Sequence, residues 1–585
     1  YLLLFVCVAT EIDAPQSRQL LLVLVLTAVP ISLIGLAQAA GWQPLPLFTD
    51  ARSPLTTTLG RANFTGAYLA LLLPLTLSAA QTAVGSGQRL GFAVLFALEL
   101  IVIAATQARA AWITAVVALV VLLWLQVAPS WSSRQRWLSG LGGGALLVTA
   151  LLLILQRGIA AGGSIAARWT IWQAALRLLW PRLWLGYGAD TLDFYFPAVY
   201  PPQLVYYQGR GVVVDRAHNW LLDWSLNYGV VATVIFGLLL FFVLRSGWRQ
   251  LSPPPSSSKP SLESHWLAAA MAAMCAHLVD NLFLFDVAAT AVLFWLLLAM
   301  VVAATRAQTK RELGLLKAGL RQAQSSFPKA TTSPLPSWVG KGLLLVGVFI
   351  AGWAIWHSNV RPLLADWHSW RGTQALAQGD VEEALGAYET AVSYQPHRAA
   401  YHTALALTAA QTGNFVQAEN AMQQAIALRP TDPVLYTHLA AIYTQEALET
   451  PEKMGEVTRA YEQAIALAPT IGLTHQQYAD FALRQGDNAT AVAQAQRAVA
   501  LDATDGIAFG ILGWAQLQAG NLAAAEQAFI QSVKWQPDSA DFHLGLATVY
   551  YQQNNLQAAQ QRTQQSLLLA PDYPPALALQ QQLQQ

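Results

Sequence analysis

Four basic side chains stand where long apolar runs meet polar stretches. They are Arg109 in Thr106-Gln-Ala-Arg-Ala110, Arg168 in Ala167-Arg-Trp-Thr-Ile-Trp172, and Arg216 and His218 in Asp215-Arg-Ala-His-Asn219. Guanidinium forks hold phosphate oxygens bidentately, and imidazole is the side chain whose unperturbed pKa allows proton transfer near neutral pH. Three arginines with one histidine therefore suit an anionic diphosphate leaving group and a hydroxyl that must lose its proton. Each residue also has a plainer reading. Arg109 reads as a snorkelling arginine at a helix end, Arg168 as an interfacial arginine beside Trp169 and Trp172, and His218 as a polar helix cap.

The neighbours of these residues carry secondary expectations. Asp215 lies three positions before His218 and orients it if the helix begins that early, while Asn219 positions His218 or an acceptor. Gly186 and Gly188 are expected to shape a turn, because the GxGxxG pattern of a phosphate cradle is missing. Glu99, inside an apolar run, reads either as a proton relay or as a carboxyl bonded to a neighbouring helix. His277, Asp280 and Asn281 read as a structural hydrogen-bonded cluster, and Asp193 and Tyr195 as residues lining a cleft. Cys7 and Cys275 both fall in apolar runs, which leaves neither a disulfide framework nor a metal-ligand spacing.

The elements that must position these groups are set by composition. Of 585 residues 55% are hydrophobic and 11% charged, against about 25% charged in an ordinary soluble domain. The apolar runs are confined to residues 1–358, and a span needs about 20 predominantly apolar residues. About ten candidates follow: 1–9, 19–37, 66–82, 90–107, 111–127, 138–155, 220–244, 265–283, 287–304 and 340–357. The chain starts partway into an apolar segment, which suggests that earlier spans are missing. Lys and Arg in short loops mark the cytoplasmic side. Arg306, Lys310, Arg311, Lys317, Arg321 and Lys329 face only Glu312 in their segment, and Arg245, Arg249, Lys259, Arg134, Arg136 and Arg89 alternate onto the same side. The polar stretch 156–219 then faces outward. A connection of that length is usually functional. The net charge of +1, without a basic stripe interleaved with aromatics, excludes nucleic acid as a partner.

Taken in order, Leu59-Gly-Arg-Ala-Asn-Phe64, Thr106-Gln-Ala-Arg109, Arg168-Trp-Thr-Ile-Trp172, Pro181-Arg-Leu-Trp-Leu-Gly-Tyr-Gly188, Ala217-His-Asn-Trp-Leu-Leu-Asp223 and Asn227-Tyr-Gly229 resemble the O-antigen ligase and polymerase superfamily of membrane glycosyltransferases. The resemblance covers roughly residues 55–300. It implies a polyprenyl diphosphate-linked glycan as donor and a glycan, lipid or protein hydroxyl as acceptor, without metal or cofactor, in a bacterial inner membrane. Carried over by position, Arg109 and Arg168 hold the diphosphate and His218 activates the acceptor; beside them, Arg61, Asp215, Arg216 and Asn219 are expected to be substrate-binding residues. Where the family usually shows Ser-Arg-Gly, this chain has Ala108-Arg109-Ala110, which keeps the charge and loses a hydroxyl and a flexible backbone position.

Beyond residue 358 the pattern changes. Proline recurs at 396, 430, 469, 537 and 571, with Ala503 in the remaining slot, in steps of 34, 39, 34, 34 and 34 residues. A period of 34 is the tetratricopeptide signature. The internal turns Gly379-Asp380, Gly413-Asn414, Gly486-Asp487, Gly520-Asn521 and Asn554-Asn555 keep the register, and the longer step holds an insert near Glu449-Thr-Pro-Glu452. The expected architecture is thus all-α: a polytopic transmembrane helix bundle over 1–358, a tetratricopeptide-repeat α-solenoid over 363–571 that binds a protein segment or a glycan, and a tail over 572–585. The solenoid is expected on the outer side. Two other functions fit less of the sequence: a solute or anion transporter, and a membrane-anchored repeat scaffold.

Overall fold

The computed structural model describes residues 1–12, 14–43, 55–251, 262–323, 346–347, 349–350 and 352–584. It divides into two compact units, and the division does not follow chain order. One unit holds Tyr1–Trp172, Leu179–Asp190 and Arg216–Ala330; the other joins Thr191–Asp215 and Gln173–Leu178 to Thr331–Gln585.

The first unit is built from α1 (Leu2–Glu11), α2 (Ala14–Ala39), α3 (Ala62–Thr82), α4 (Ser86–Ala105), α5 (Arg109–Val127), α6 (Ser133–Ala161), the part of α7 (Ser164–Leu179) up to Trp172, α10 (Trp220–Leu251), α11 (Leu262–Asp280) and α12 (Ala288–Ala323); the short helices α8 (Leu192–Tyr195) and α9 (Leu204–Gln208) of the polar stretch belong to the second unit. Among the described residues, seven helices are long and apolar enough to cross a membrane. The expected run 1–9 is the short helix α1. The run 265–283 is the buried helix α11, which is not among the seven, and 340–357 lies partly outside the described residues.

At the centre is α3, whose run Leu69–Leu73 is fully buried. It packs on α4, α5 and α11, and α11 packs on α5 as well. Between helices in lipid the driving force is close packing rather than escape from water, so small residues sit at the contacts. A Cβ on Gly66 of α3 would lie 2.5 Å from the Ala111 Cβ of α5, which sets how closely those helices approach. By contrast α6, equally apolar, has no buried residue. An apolar surface of that length fits hydrocarbon.

In the second unit, six helical hairpins run from Arg361–Ala377 with Val381–Tyr394 to Ala540–Gln552 with Leu556–Leu569, followed by Pro574–Gln584. The turn residues repeat because they do a repeated job. Asp380, Asn414, Asp487 and Asn555 each accept a backbone N–H of the following helix and cap its N-terminus. Between hairpins, the side chains six positions after the period-marking prolines close the turn: His402, His475 and His543 meet the carbonyls of Pro396, Pro469 and Pro537, and Tyr436 meets that of Pro430.

Candidate functional site

The turn that follows α11, residues 280–286, collects most of the candidate residues. Its first residue, Asp280, is buried and accepts a hydrogen bond from Thr114 Oγ1 at 2.9 Å. That bond fixes the end of α11 to the first turns of α5, the helix that opens with Arg109. Burial lowers the pKa of the Arg168 guanidinium, and the Asp280 carboxylate works against that shift. The helix of Arg168 meets the same turn through Trp172, whose ring centroid lies 6.0 Å from that of Phe283.

Phe285, five residues on, is a second meeting point. The His218 ring lies 5.2 Å from it, the Phe64 ring 5.5 Å edge-on, and the Arg216 guanidinium 5.8 Å above it. Phe64 belongs to the first turn of α3, whose N-cap is Arg61. Since Gly66 approaches Ala111, the starts of α3 and α5 lie at one end of the bundle. Helix N-termini carry partial positive charge, so that end favours an anion even before the arginines are counted.

The chain enters this site under constraint. His218 adopts φ 54° and Gln107, two residues before Arg109, φ 55°, a region that non-glycine residues visit rarely. Trp172 donates its indole N–H to the Ala217 carbonyl at 2.8 Å, which ties α7 to the residue before His218. Ala217 N–H in turn donates to Asp223 Oδ1 at 2.7 Å. Just before α5, Ala108 N–H donates to Thr106 Oγ1 at 3.2 Å.

One expectation changes. Helix α10 starts at Trp220, so Asp215 is outside it, exposed, and shares no helical face with His218. Asn219 is committed to structure: its Oδ1 accepts Leu221 N–H and Leu222 N–H at 3.1 and 3.2 Å, and its Nδ2 donates to Leu282 O at 3.1 Å. It fixes His218 by capping the helix beside it. Arg216 pairs with Asp190 at 2.9 Å, a carboxylate that sequence reasoning did not single out. Nor did it single out Asp280 and Phe285 as parts of a site, since the first reads as a helix-end acid and the second as one more aromatic in a hydrophobic turn.

The remaining polar residues settle into packing roles. Glu99 accepts a bond from Thr76 of α3 at 2.8 Å. His277 contacts Asp286 and Asn281 at 3.0 Å each and stacks on Phe294; although burial pushes the Asp286 carboxyl up, the His277 contact holds it below its ordinary value. Asp193, which belongs to the second unit, pairs there with Arg429 at 2.7 Å. Gly186 and Gly188 do form a turn, with φ of 69° and 107°. It pairs with a break in α10 at Gly229, through Tyr187 N–H to Leu226 O, Gly188 N–H to Asn227 O and Val230 N–H to Leu183 O, at 2.6, 3.0 and 2.9 Å.

Comparison with known proteins agrees with both halves. Residues 92–237 match the family described as O-antigen ligase, and residues 371–433, 477–534 and 516–583 match tetratricopeptide repeat models. The chain therefore carries an O-antigen ligase-type domain followed by tetratricopeptide repeats. No curated protein matches it. Among solved structures, the Cut9–Hcn1 hetero-tetramer of the APC/C is 20% identical over 40% of this chain and 48% of that chain, with a TM-score of 0.31. PilW, a type IV pilus biogenesis factor, is 17% identical over 37% and 97%, TM-score 0.32. YrrB, a TPR protein with an unusual peptide-binding site, is 18% identical over 33% and 97%, TM-score 0.28. The chain spans about half the length of the first of these structures.

Proposed function

We propose that this multi-pass membrane protein is a glycosyltransferase that moves a glycan from a polyprenyl diphosphate carrier to an acceptor hydroxyl. The acceptor oxygen attacks the anomeric carbon, the bond from that carbon to the diphosphate oxygen breaks, and the acceptor proton passes to the His218 imidazole. Arg109 and Arg168 meet the charge that develops on the leaving diphosphate, which is where fixed positive groups lower a barrier most; no metal or cofactor enters the scheme. Arg61 lies at the same helix ends as a further phosphate contact. Arg216, held by Asp190, contributes through the Phe285 ring more than as a free cation.

One observation carries this reading: the single turn 280–286 is met by Arg216 and His218 at Phe285, by the helix of Arg168 through Trp172 on Phe283, and by the helix that starts at Arg109 through Thr114 on Asp280. The membrane is proposed to be the bacterial inner membrane, with the reacting end and the repeats on its outer, periplasmic or extracellular side, and with a protein or glycan as the ligand of the repeats. The test supplies a purified polyprenyl diphosphate glycan to the full chain and to Arg109→Ala, Arg168→Ala and His218→Ala, with and without a chelator. Loss of transfer in all three variants and no response to the chelator is expected. Undiminished transfer in the three variants overturns the proposal.

A further inference from the structure

Within the second unit, the segment 191–215 lies along the edge of the solenoid formed by the turns between hairpins. It meets three successive turns in chain order. At the first, Arg429 Nη2 donates to Asp193 Oδ2 at 2.7 Å and its guanidinium covers the Phe194 ring at 4.2 Å, while Thr431 Oγ1 donates to Phe194 O at 2.9 Å. At the second, Thr470 Oγ1 donates to Tyr200 O at 2.6 Å. At the third, Arg210 donates through Nε to Asp502 Oδ2 at 2.6 Å and through Nη2 to Thr504 Oγ1 at 3.1 Å, and Ala503 N–H donates to the Tyr206 hydroxyl at 3.3 Å.

The three turns share a residue that the repeat itself does not require. The position after the period-marking Pro430, Pro469 and Ala503 is Thr431, Thr470 and Thr504, and each hydroxyl bonds to the segment. At the same register the other turns carry His397, Asp538 and Asp572, although they belong to the same solenoid. The segment's buried anchors Leu192, Phe196, Tyr200 and Leu204 recur every fourth residue, and short helical turns at Leu192–Tyr195, Phe196–Val199 and Leu204–Gln208 hold all of them but Tyr200.

We propose that these three turns are a dedicated docking edge whose occupant is the chain's own segment 191–215, so that the repeats clamp the segment leading into Arg216 and His218. The clamp is a positioning device. It restricts the conformations of a long connection that would otherwise be free to fluctuate, and it leaves the rest of the solenoid open to other ligands. It stands whether or not the transfer chemistry proposed above is right, because its test reads the segment and not the reaction.

The experiment is limited chymotrypsin digestion of the full chain in detergent, following cleavage at the exposed Tyr206 and Tyr207 by mass spectrometry. Cleavage of this kind tracks the population of the open segment. Asp193→Arg is expected to speed cleavage about tenfold, as befits loss of a charge-assisted bond. Adding Arg429→Asp to it restores the pair in reverse and with it the protection. Thr431→Val combined with Thr470→Val also speeds cleavage while leaving the helical content of the solenoid intact. Cleavage unchanged in Asp193→Arg and in the threonine double variant, or no recovery in the reversed pair, overturns the proposal.

Discussion

Replacing Gly229 by alanine tests the join between α10 and the turn that feeds the site. Gly229 has φ 83° and ψ 163° inside an otherwise helical run, a combination that is essentially glycine's own and costs other residues about 1–3 kcal/mol. A Cβ there would also fall on the Trp184 carbonyl oxygen and come within 2.7 Å of Leu185 N. Backbone cannot swing aside as a side-chain tip can, so the 183–188 turn must move. The three backbone bonds that pair it with the break in α10 go with it, each contributing about 0.5–1.5 kcal/mol net. Strain and lost bonds together come to about 4 kcal/mol or more, a large part of the 5–15 kcal/mol that typically holds a domain folded. The assay is thermal unfolding of the detergent-solubilised chain, with a fall in apparent melting temperature of about 10 °C expected. Gly237 is the internal control: it lies on the same helix with nothing within 4 Å of an added Cβ, so Gly237→Ala leaves melting unchanged. Equal melting of the two variants would refute the reasoning.

Three other expectations follow from particular contacts. Asp280→Asn keeps an oxygen for the Thr114 hydroxyl but removes the charge facing Arg168, so transfer falls by about 10- to 100-fold, or roughly 1.4–2.8 kcal/mol of barrier, with helical content by circular dichroism unchanged. Phe285→Ala removes the ring shared by Phe64, His218 and Arg216; steady-state kinetics are expected to show a lower kcat, since the groups remain and only their mutual placement is lost. In the solenoid, the Thr490 side chain and backbone N–H hold the Asp487 carboxyl below its ordinary value, so its capping contribution is present above the unfolded pKa near 3.9 and is lost as pH falls through the lower folded value. Asp487→Ala should cost about 1 kcal/mol at neutral pH, measured by denaturant unfolding, while Asp487→Asn caps the helix and abolishes that part of the acid dependence.

Much of this was readable along the chain because the signals are periodic or local. The 34-residue step carries the solenoid, and each turn residue that marks the step also caps a helix, so pattern and structure express one cause. The arginines and His218 stood out as a group: each alone reads as a helix-end or interfacial side chain, but three guanidinium groups with one imidazole at the edges of apolar runs suit an anionic leaving group. Asp215 shares a helical face with His218 only if the helix begins before it, whereas α10 starts five residues later, at Trp220, with Asn219, a strong N-cap residue, capping it.

What the sequence alone determined is the list of parts: apolar helices, a basic and aromatic connection, and a repeat array with its register. Only the tertiary structure decided which parts meet. That Thr114 reaches Asp280, that Phe285 gathers Phe64, His218 and Arg216, and that Asp193 belongs with Arg429 are relations between residues about 70 to 240 positions apart. No periodicity encodes such pairs. They are fixed by how closely helices can pack and by the need of each buried polar group for a partner, and both conditions exist only once the chain has folded.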